Sequence, residues 1–258
     1  MKRRIGILTS GGDCPGLNAT IRGVAKACYQ MLGTENVEIV GISDGYYGLI
    51  HNICKEMSPD DFSGILTRGG TILGTKRQPF KMMKVIGDDN IDKVKNMKKT
   101  YQSQKLDCLL TLGGNGTHKT SQLLSEEGLN VIGLPKTIDN DLALTDHTPG
   151  FGSAAKYIGA STKEVIRDAL GLTYKKEMIT IIEVMGRNAG WLTGATALAK
   201  TEECEGPDLI YLPEVPFDID AFLSKIKDLL KEKKSIIVAV SEGIKLPDGR
   251  YVCELSGG

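Results

Sequence analysis

The stretch from Leu106 to Asp141, LDCLLTLGGNGTHKTSQLLSEEGLNVIGLPKTIDND, constrains the fold more than any other part of the chain. An apolar run from Leu106 to Leu112 stops at Gly113-Gly114, and a helical pattern starts from about Thr117. A buried strand therefore feeds a helix through a glycine turn. Such a turn exposes backbone N–H groups beside the positive end of a helix, and glycine lets a ligand approach closely, so phosphate oxygens are its natural guests. A second apolar run, Val131 to Leu134, ends in Pro135-Lys136-Thr137-Ile138-Asp139-Asn140-Asp141. This places a cation, a hydroxyl and two carboxylates just past a strand's carboxyl end, where open α/β sheets bind ligands. Phosphate-cradling backbone beside candidate general bases points to phosphoryl transfer. If the backbone stays extended, Asp139 and Asp141 point the same way, so one can take a hydroxyl proton while the other fixes a sugar or a metal.

The rest of the chain repeats the theme. Arg4 to Leu8 reads as a buried strand and Asn18 to Leu32 as the helix after it, with Asn18 as its N-cap. Between them Thr9 to Gly16 forms a second glycine-rich turn, which either faces the same anion or is only a tight turn. Val37 to Ile42 is a strand, and the tyrosines of Ser43 to Gly48 either line a base or pack. Arg68 to Arg77 joins three glycines to three cations, which is either a loop over a polyphosphate or a solvated turn. Asp88 to Gln104 carries Ile91, Val94, Met97 and Tyr101 at helical spacing, with its lysines on a solvated face. A helix running to about Leu170 follows Thr148-Pro149-Gly150, where a domain boundary falls. Ile179 to Val184 is a strand, and Met185 to Trp191 turns it into a helix ending near Lys200. Leu209 to Leu212 and Ser235 to Val240 are strands around an Asp220 to Lys233 helix, and Ser241-Glu242-Gly243 closes the last. Strands alternating with helices require a mostly parallel sheet with right-handed crossovers.

With 32 basic residues against 32 acidic ones and no basic block, neither nucleic acid nor a membrane surface is favoured, and a small molecule is the expected partner. Six scattered cysteines without a C-x-x-C pair fit reduced thiols in a cytoplasm. The N-terminus, MKRRIGILTSGGD, reaches charge and glycine too soon for a signal peptide, and no segment approaches the roughly 20 apolar residues of a membrane span.

T-S-G-G-D-x-P-G at Thr9 to Gly16, L-G-x-x-R at Leu73 to Arg77, G-G-x-G-T at Gly113 to Thr117, P-K-T-I-D-N-D at Pro135 to Asp141 and E-V-M-G-R at Glu183 to Arg187 resemble the phosphofructokinase family in order along essentially the whole chain. The Thr-Ile-Asp-Asn-Asp block is highly specific; G-G-x-G-T occurs in NAD and diacylglycerol kinases as well, but Pro135 to Asp141 argues against those. The resemblance implies two Rossmann-like three-layer α/β domains with mostly parallel sheets and a ligand cleft between them. Residues 1–149 would hold the phosphate donor and residues 150–258 the sugar phosphate. It implies a homodimeric or homotetrameric cytoplasmic enzyme of glycolysis that phosphorylates the 1-hydroxyl of fructose 6-phosphate with magnesium and ATP. Pyrophosphate-dependent members are the alternative, as is a truncated non-catalytic relative. Carried over, Asp139 is the catalytic base, Thr137 lies beside the transferred phosphoryl, and Asp141 lies near the sugar hydroxyls. Gly12, Arg77, Gly114, Asn115, Gly116 and Thr117 hold the nucleotide, and Met185, Gly186, Arg187 and Glu242 contact the sugar phosphate. Gly116 leaves room for the α-phosphate of ATP, where an aspartate goes with pyrophosphate use, whereas Lys136 is the residue that pyrophosphate enzymes carry, as do some ATP-dependent members. The chain departs from the family at Asn115, where a magnesium-linked aspartate is usual, and at Met178, where many members have arginine. It also stops at Ser256-Gly257-Gly258, before the family's H-I-Q-R-G-G region, so the resemblance implies a C-terminal truncation.

Overall fold

The computed structural model describes residues 2–86, 90–171 and 176–255. The chain clusters into two units: Met1–Ile138 with Thr148–Gly150, and Asp139–His147 with Phe151–Gly258.

In the first unit the order is β1 (Arg3–Ser10), α1 (Leu17–Leu32), β2 (Val37–Ile42), α2 (Tyr46–His51), β3 (Cys54–Met57), α3 (Lys93–Ser103), β4 (Cys108–Gly113), α4 (Asn115–Glu126) and β5 (Val131–Pro135). The sheet runs β3-β2-β1-β4-β5, parallel except for β3, which lies antiparallel on β2. Adjacent side chains of β1 go to opposite faces: Leu8 joins Tyr46, Leu49, Met97 and Leu124, while Ile7 joins Leu17, Ile21 and Ala25. Helix α1 thus covers one face, and α2, α3 and α4 cover the other. The apolar runs of β1 and β4 have no polar alternation because neither face meets water. Connections from β1 to β2 and from β4 to β5 leave the sheet centre in opposite directions. The order therefore reverses between β1 and β4, and their carboxyl ends form the switch point at which such sheets bind ligands.

Several local expectations change. Asn18 is not a cap: α1 starts at Leu17 behind Gly16, and Asn18 is buried. Its Nδ2 donates to the carbonyls of Arg68 (3.0 Å) and Gly69 (3.3 Å), and its Oδ1 accepts from the Ile72 N–H at 2.7 Å. The amide ties the 68–72 loop to α1, because a loop backbone leaving water needs partners. The Asp88 start of the next helix lies outside the described residues; α3 starts at Lys93, with the Asp92 carboxylate accepting from the Lys95 N–H. Tyr46 packs. It is 1% exposed, its hydroxyl donates to the Thr117 carbonyl at 2.8 Å, and it lies 2.9 Å from Ser121 Oγ.

The second unit contains α5 (Phe151–Gly171), β6 (Met178–Val184), α6 (Trp191–Gly194), β7 (Leu209–Tyr211), α7 (Ile219–Leu229) and β8 (Ser235–Ser241). Its parallel sheet runs β6-β8-β7. From β8, Ile237 packs with Ile166 and Ala169 of α5, while Ile236 and Val238 pack with Ile226 of α7, which again gives three layers. The expected helix up to Lys200 breaks into α6 and a 3-10 stretch, Ala195–Ala199. Among the described residues no helix is long and apolar enough to cross a membrane.

Candidate active site

At the switch point of the first unit, β1 and β4 end side by side, with Ser10 opposite Gly113. Gly113 is demanded by packing: a Cβ there would stand 2.2 Å from Thr117 Oγ1 and 2.5 Å from the Ser10 carbonyl oxygen. That closeness lets the Thr117 hydroxyl donate to Ser10 O at 3.2 Å, so the first turn of α4 is stitched to the end of β1. Gly114 is the N-cap and supplies no side-chain acceptor, so the first N–H groups of this 12-residue helix are left for a ligand or water. Asn115 and Gly116 in that first turn are exposed, and nothing lies within 4 Å of a Cβ placed on Gly116.

The other glycine turn faces the same ledge. Gly11 has φ +96°, and its carbonyl accepts from Thr75 Oγ1 at 2.8 Å. The Gly12 carbonyl accepts from the buried Lys136 ammonium. Arg77 Nη2 and Lys136 Nζ lie 3.6 and 3.9 Å from where a Gly12 Cβ would sit. Two cations thus flank a bare backbone turn, and a side chain at Gly12 would enter the space between them. The Thr9 hydroxyl donates to Gly74 O at 2.8 Å, which fastens the 68–77 loop to β1. Cys14, in the same turn, has its thiol pushed up in pKa chiefly by burial and donates to Pro149 O at 3.2 Å, so it is a neutral packing group and no nucleophile. Thr137, next after Lys136, has its carbonyl held by the Thr148 hydroxyl.

Within the second unit, Asp139 is half-buried and Asp141 exposed, with Asn140 buried between them at φ +56°. The segment is bent, so the extended spacing that would put both carboxylates on one side does not hold. Asn140 tolerates the left-handed backbone, and its Nδ2 donates to Asp146 O at 3.0 Å, closing the 140–146 loop. Asn140, Asp141, Thr145, His147 and Trp191 line an open hollow of about 700 Å³.

The Met185–Arg187 corner is built by the turn after β8. The Gly186 N–H donates to Glu242 Oε1 at 3.2 Å, the Ser241 hydroxyl donates to Gly186 O at 2.7 Å, and Ser241 Oγ accepts from the Gly243 N–H at 3.0 Å. Gly186 takes φ +133°, and a Cβ on Gly243 would lie 1.8 Å from the Arg187 carbonyl oxygen. Met185 and Arg187 are exposed. Ser241 and Gly243 are essential to this corner, yet in the sequence they read only as the end of a strand.

Comparison with known proteins agrees with this architecture. The family described as Phosphofructokinase matches residues 4–256. The ATP-dependent 6-phosphofructokinase of Spirochaeta thermophila is 47% identical over 245 residues, 93% of this chain and 64% of the relative. That of Propionibacterium freudenreichii is 42% identical over 254 residues, 95% of this chain and 62% of the relative. The chain thus spans under two thirds of the length of these curated relatives. Among solved structures, phosphofructokinase from Saccharomyces cerevisiae aligns with a TM-score of 0.80 at 25% identity, over 97% of this chain and 35% of that one. A pyrophosphate-dependent phosphofructokinase from Marinobacter aquaeolei aligns with a TM-score of 0.78 at 28% identity, over 95% of this chain and 61% of that one. On the family match, on these relatives and on the switch-point geometry, this chain belongs to the phosphofructokinase family.

Proposed function

We propose that the protein is a 6-phosphofructokinase that transfers the terminal phosphoryl group of ATP to the 1-hydroxyl of fructose 6-phosphate. The observation that carries this reading is the bare first turn of α4, open at Gly116 and set beside Arg77 and Lys136 at the switch point. Gly12, Gly114, Asn115, Gly116 and Thr117 receive the donor phosphates, Arg77 and Lys136 add positive charge, and Thr137 lies by the transferred group. Asp139 takes the proton from the attacking hydroxyl as the new P–O bond forms and ADP leaves, Asp141 holds sugar hydroxyls, and Met185, Gly186, Arg187 and Glu242 bind the sugar phosphate. In this reading the enzyme is a cytoplasmic homodimer or homotetramer.

Magnesium neutralises donor phosphate charge when bound. Among the described residues no group of three His, Cys, Asp or Glu side chains could hold an ion, and Asn115 offers one neutral oxygen. This donor set fits an ion that arrives on the nucleotide, since magnesium readily shares its coordination between protein and substrate phosphates.

For the donor, relatives at 38–47% identity are named ATP-dependent, whereas pyrophosphate-dependent structures align at 28–29%. The nearer set and the open space at Gly116 favour ATP, against Lys136. An assay of the purified protein with fructose 6-phosphate, run with ATP and then with pyrophosphate, should give the higher kcat/KM with ATP. The opposite order overturns the donor assignment, and turnover with neither overturns the activity.

A further inference from the structure

Beyond the motifs that carry the family resemblance, the second unit holds a small hairpin after β8. Lys245 and Tyr251 pair as an antiparallel bridge. The Val252 N–H donates to Ile244 O at 3.1 Å, the Leu246 N–H to Arg250 O at 2.9 Å, and the Gly249 N–H to Leu246 O at 2.9 Å. The Phe217 N–H donates to Lys245 O at 2.7 Å, which fixes the hairpin to the body of the unit. The Tyr251 ring therefore has a defined place, and two cations lie over it. The Arg187 guanidinium carbon is 4.6 Å from its centroid, and Lys245 Nζ is 4.7 Å away. Among the described residues neither cation is engaged in an ion pair.

An exposed arginine side chain loses much rotamer freedom when it binds an anion, and that loss weakens binding. An aromatic face under the guanidinium removes part of the cost beforehand, because the planar group stacks on it while keeping its edge N–H donors for a ligand. Two unpaired cations on one ring also repel each other until an anion arrives. The Arg187 backbone is already fixed by the close approach of Gly243. The hairpin supplies what that backbone contact cannot, a hold on the far end of the side chain.

We propose that Tyr251 is a positioning residue for Arg187, and that the 244–252 hairpin presets the guanidinium for the anionic group of the acceptor. This rests on the reading that Arg187 meets the sugar phosphate. Tyr251→Leu should raise KM for fructose 6-phosphate about 2- to 30-fold, the range that cation–π contacts span. The kcat and the KM for ATP should stay within about twofold of the parent, and Tyr251→Phe, which keeps the ring, should restore the parent KM. In an Arg187→Ala background Tyr251→Leu should add nothing, because the group it positions is gone. An unchanged KM in Tyr251→Leu, or an equal effect in the Arg187→Ala background, overturns the proposal. If the parent protein does not turn over fructose 6-phosphate, the activity reading fails instead, and calorimetric titration with inorganic phosphate then reads the guanidinium directly. Weaker phosphate binding by Tyr251→Leu than by the parent keeps the positioning role, and equal binding ends it.

Discussion

Each unit places a glycine corner at the carboxyl end of a parallel strand, but the two are supported to different extents. The first unit's turns rest on buried side chains. Beneath α4, Tyr46, Thr111, Thr117 and Ser121 form a hydrogen-bonded network out of water, and Ile7 and Leu8 of the neighbouring strand are fully buried. The second unit's corner hangs on one buried hydroxyl, Ser241, and on the exposed Glu242 carboxylate, and the strand leading to it exposes Ile179 (45%) and Ile181 (58%). A rigid ledge suits a donor whose phosphates are read by backbone N–H groups, since those cannot adjust. A corner carrying exposed Arg187 suits recognition by a long side chain that something else must orient.

If the donor turn binds and the acceptor side carries the chemistry, Asp139→Asn should produce the largest effect. Loss of a general base costs about 10²–10⁴-fold in rate. The fall should appear in kcat, with donor affinity, read by calorimetry, unchanged. A parent-like kcat would move the proton to another acceptor, with Asp141 the next candidate.

The glycines sharpen the comparison. Gly113→Ala pushes a methyl group to 2.2 Å from Thr117 Oγ1, and Gly243→Ala pushes one to 1.8 Å from Arg187 O, so both should cost about 3 kcal/mol of stability and lower Tm. Their kinetic signatures should part: Gly113→Ala raises KM for the donor, Gly243→Ala that for the sugar phosphate. Gly116→Ala, with open space around it, should leave Tm unchanged or slightly higher. A Gly243→Ala protein whose donor KM rises while its acceptor KM stays put would dissolve the division of labour.

The contrast also explains what could be read from the sequence. Strands β1, β2, β4 and β8 were legible because burial on both faces writes itself as a mostly apolar run, whereas β5 was legible from Val131 to Leu134 although Ile132 is exposed. Strand β3 was not, since CKEM is an edge strand whose Lys55 and Glu56 face water. Ile179 to Val184 reads like β1 although half its side chains are exposed, because composition does not say what covers a strand. Asn18 spelled a cap but folds as a clamp on a loop some fifty residues away, with a partner separation of 50 for the Arg68 carbonyl. The bend at Asn140 depends on a carbonyl six residues on, so the spacing of Asp139 and Asp141 alone gave the wrong geometry. Gly12, Gly113 and Gly186 could be found because a glycine after an apolar run marks a strand-to-loop turn whatever surrounds it, although the neighbours that crowd Gly12 and Gly113 include distant residues. Tyr251 could not, because its place between Arg187 and Lys245 exists only after the second sheet has formed.

The smallest predicted effect tests the buried hydroxyl network beneath the first unit's turns. Burial pushes the Tyr46 hydroxyl from its ordinary pKa near 10 up to about 12. Below pH 10 the folded and unfolded chains both keep this proton, and Tyr46 gives no pH dependence. Above it the unfolded chain releases the proton while the folded chain retains it, so the unfolded state binds fewer protons and stability falls as pH rises toward 12. The loss over that window is about 2 kcal/mol. Tyr46→Phe removes the titration and also the bond to the Thr117 carbonyl, which is worth about 1 kcal/mol at neutral pH. The parent should therefore be the more stable protein at pH 8 and the less stable one at the top of the range, the two urea-unfolding curves crossing near pH ~11. Parallel curves would mean that Tyr46 titrates as it does in the unfolded chain, and that the ledge under α4 admits water.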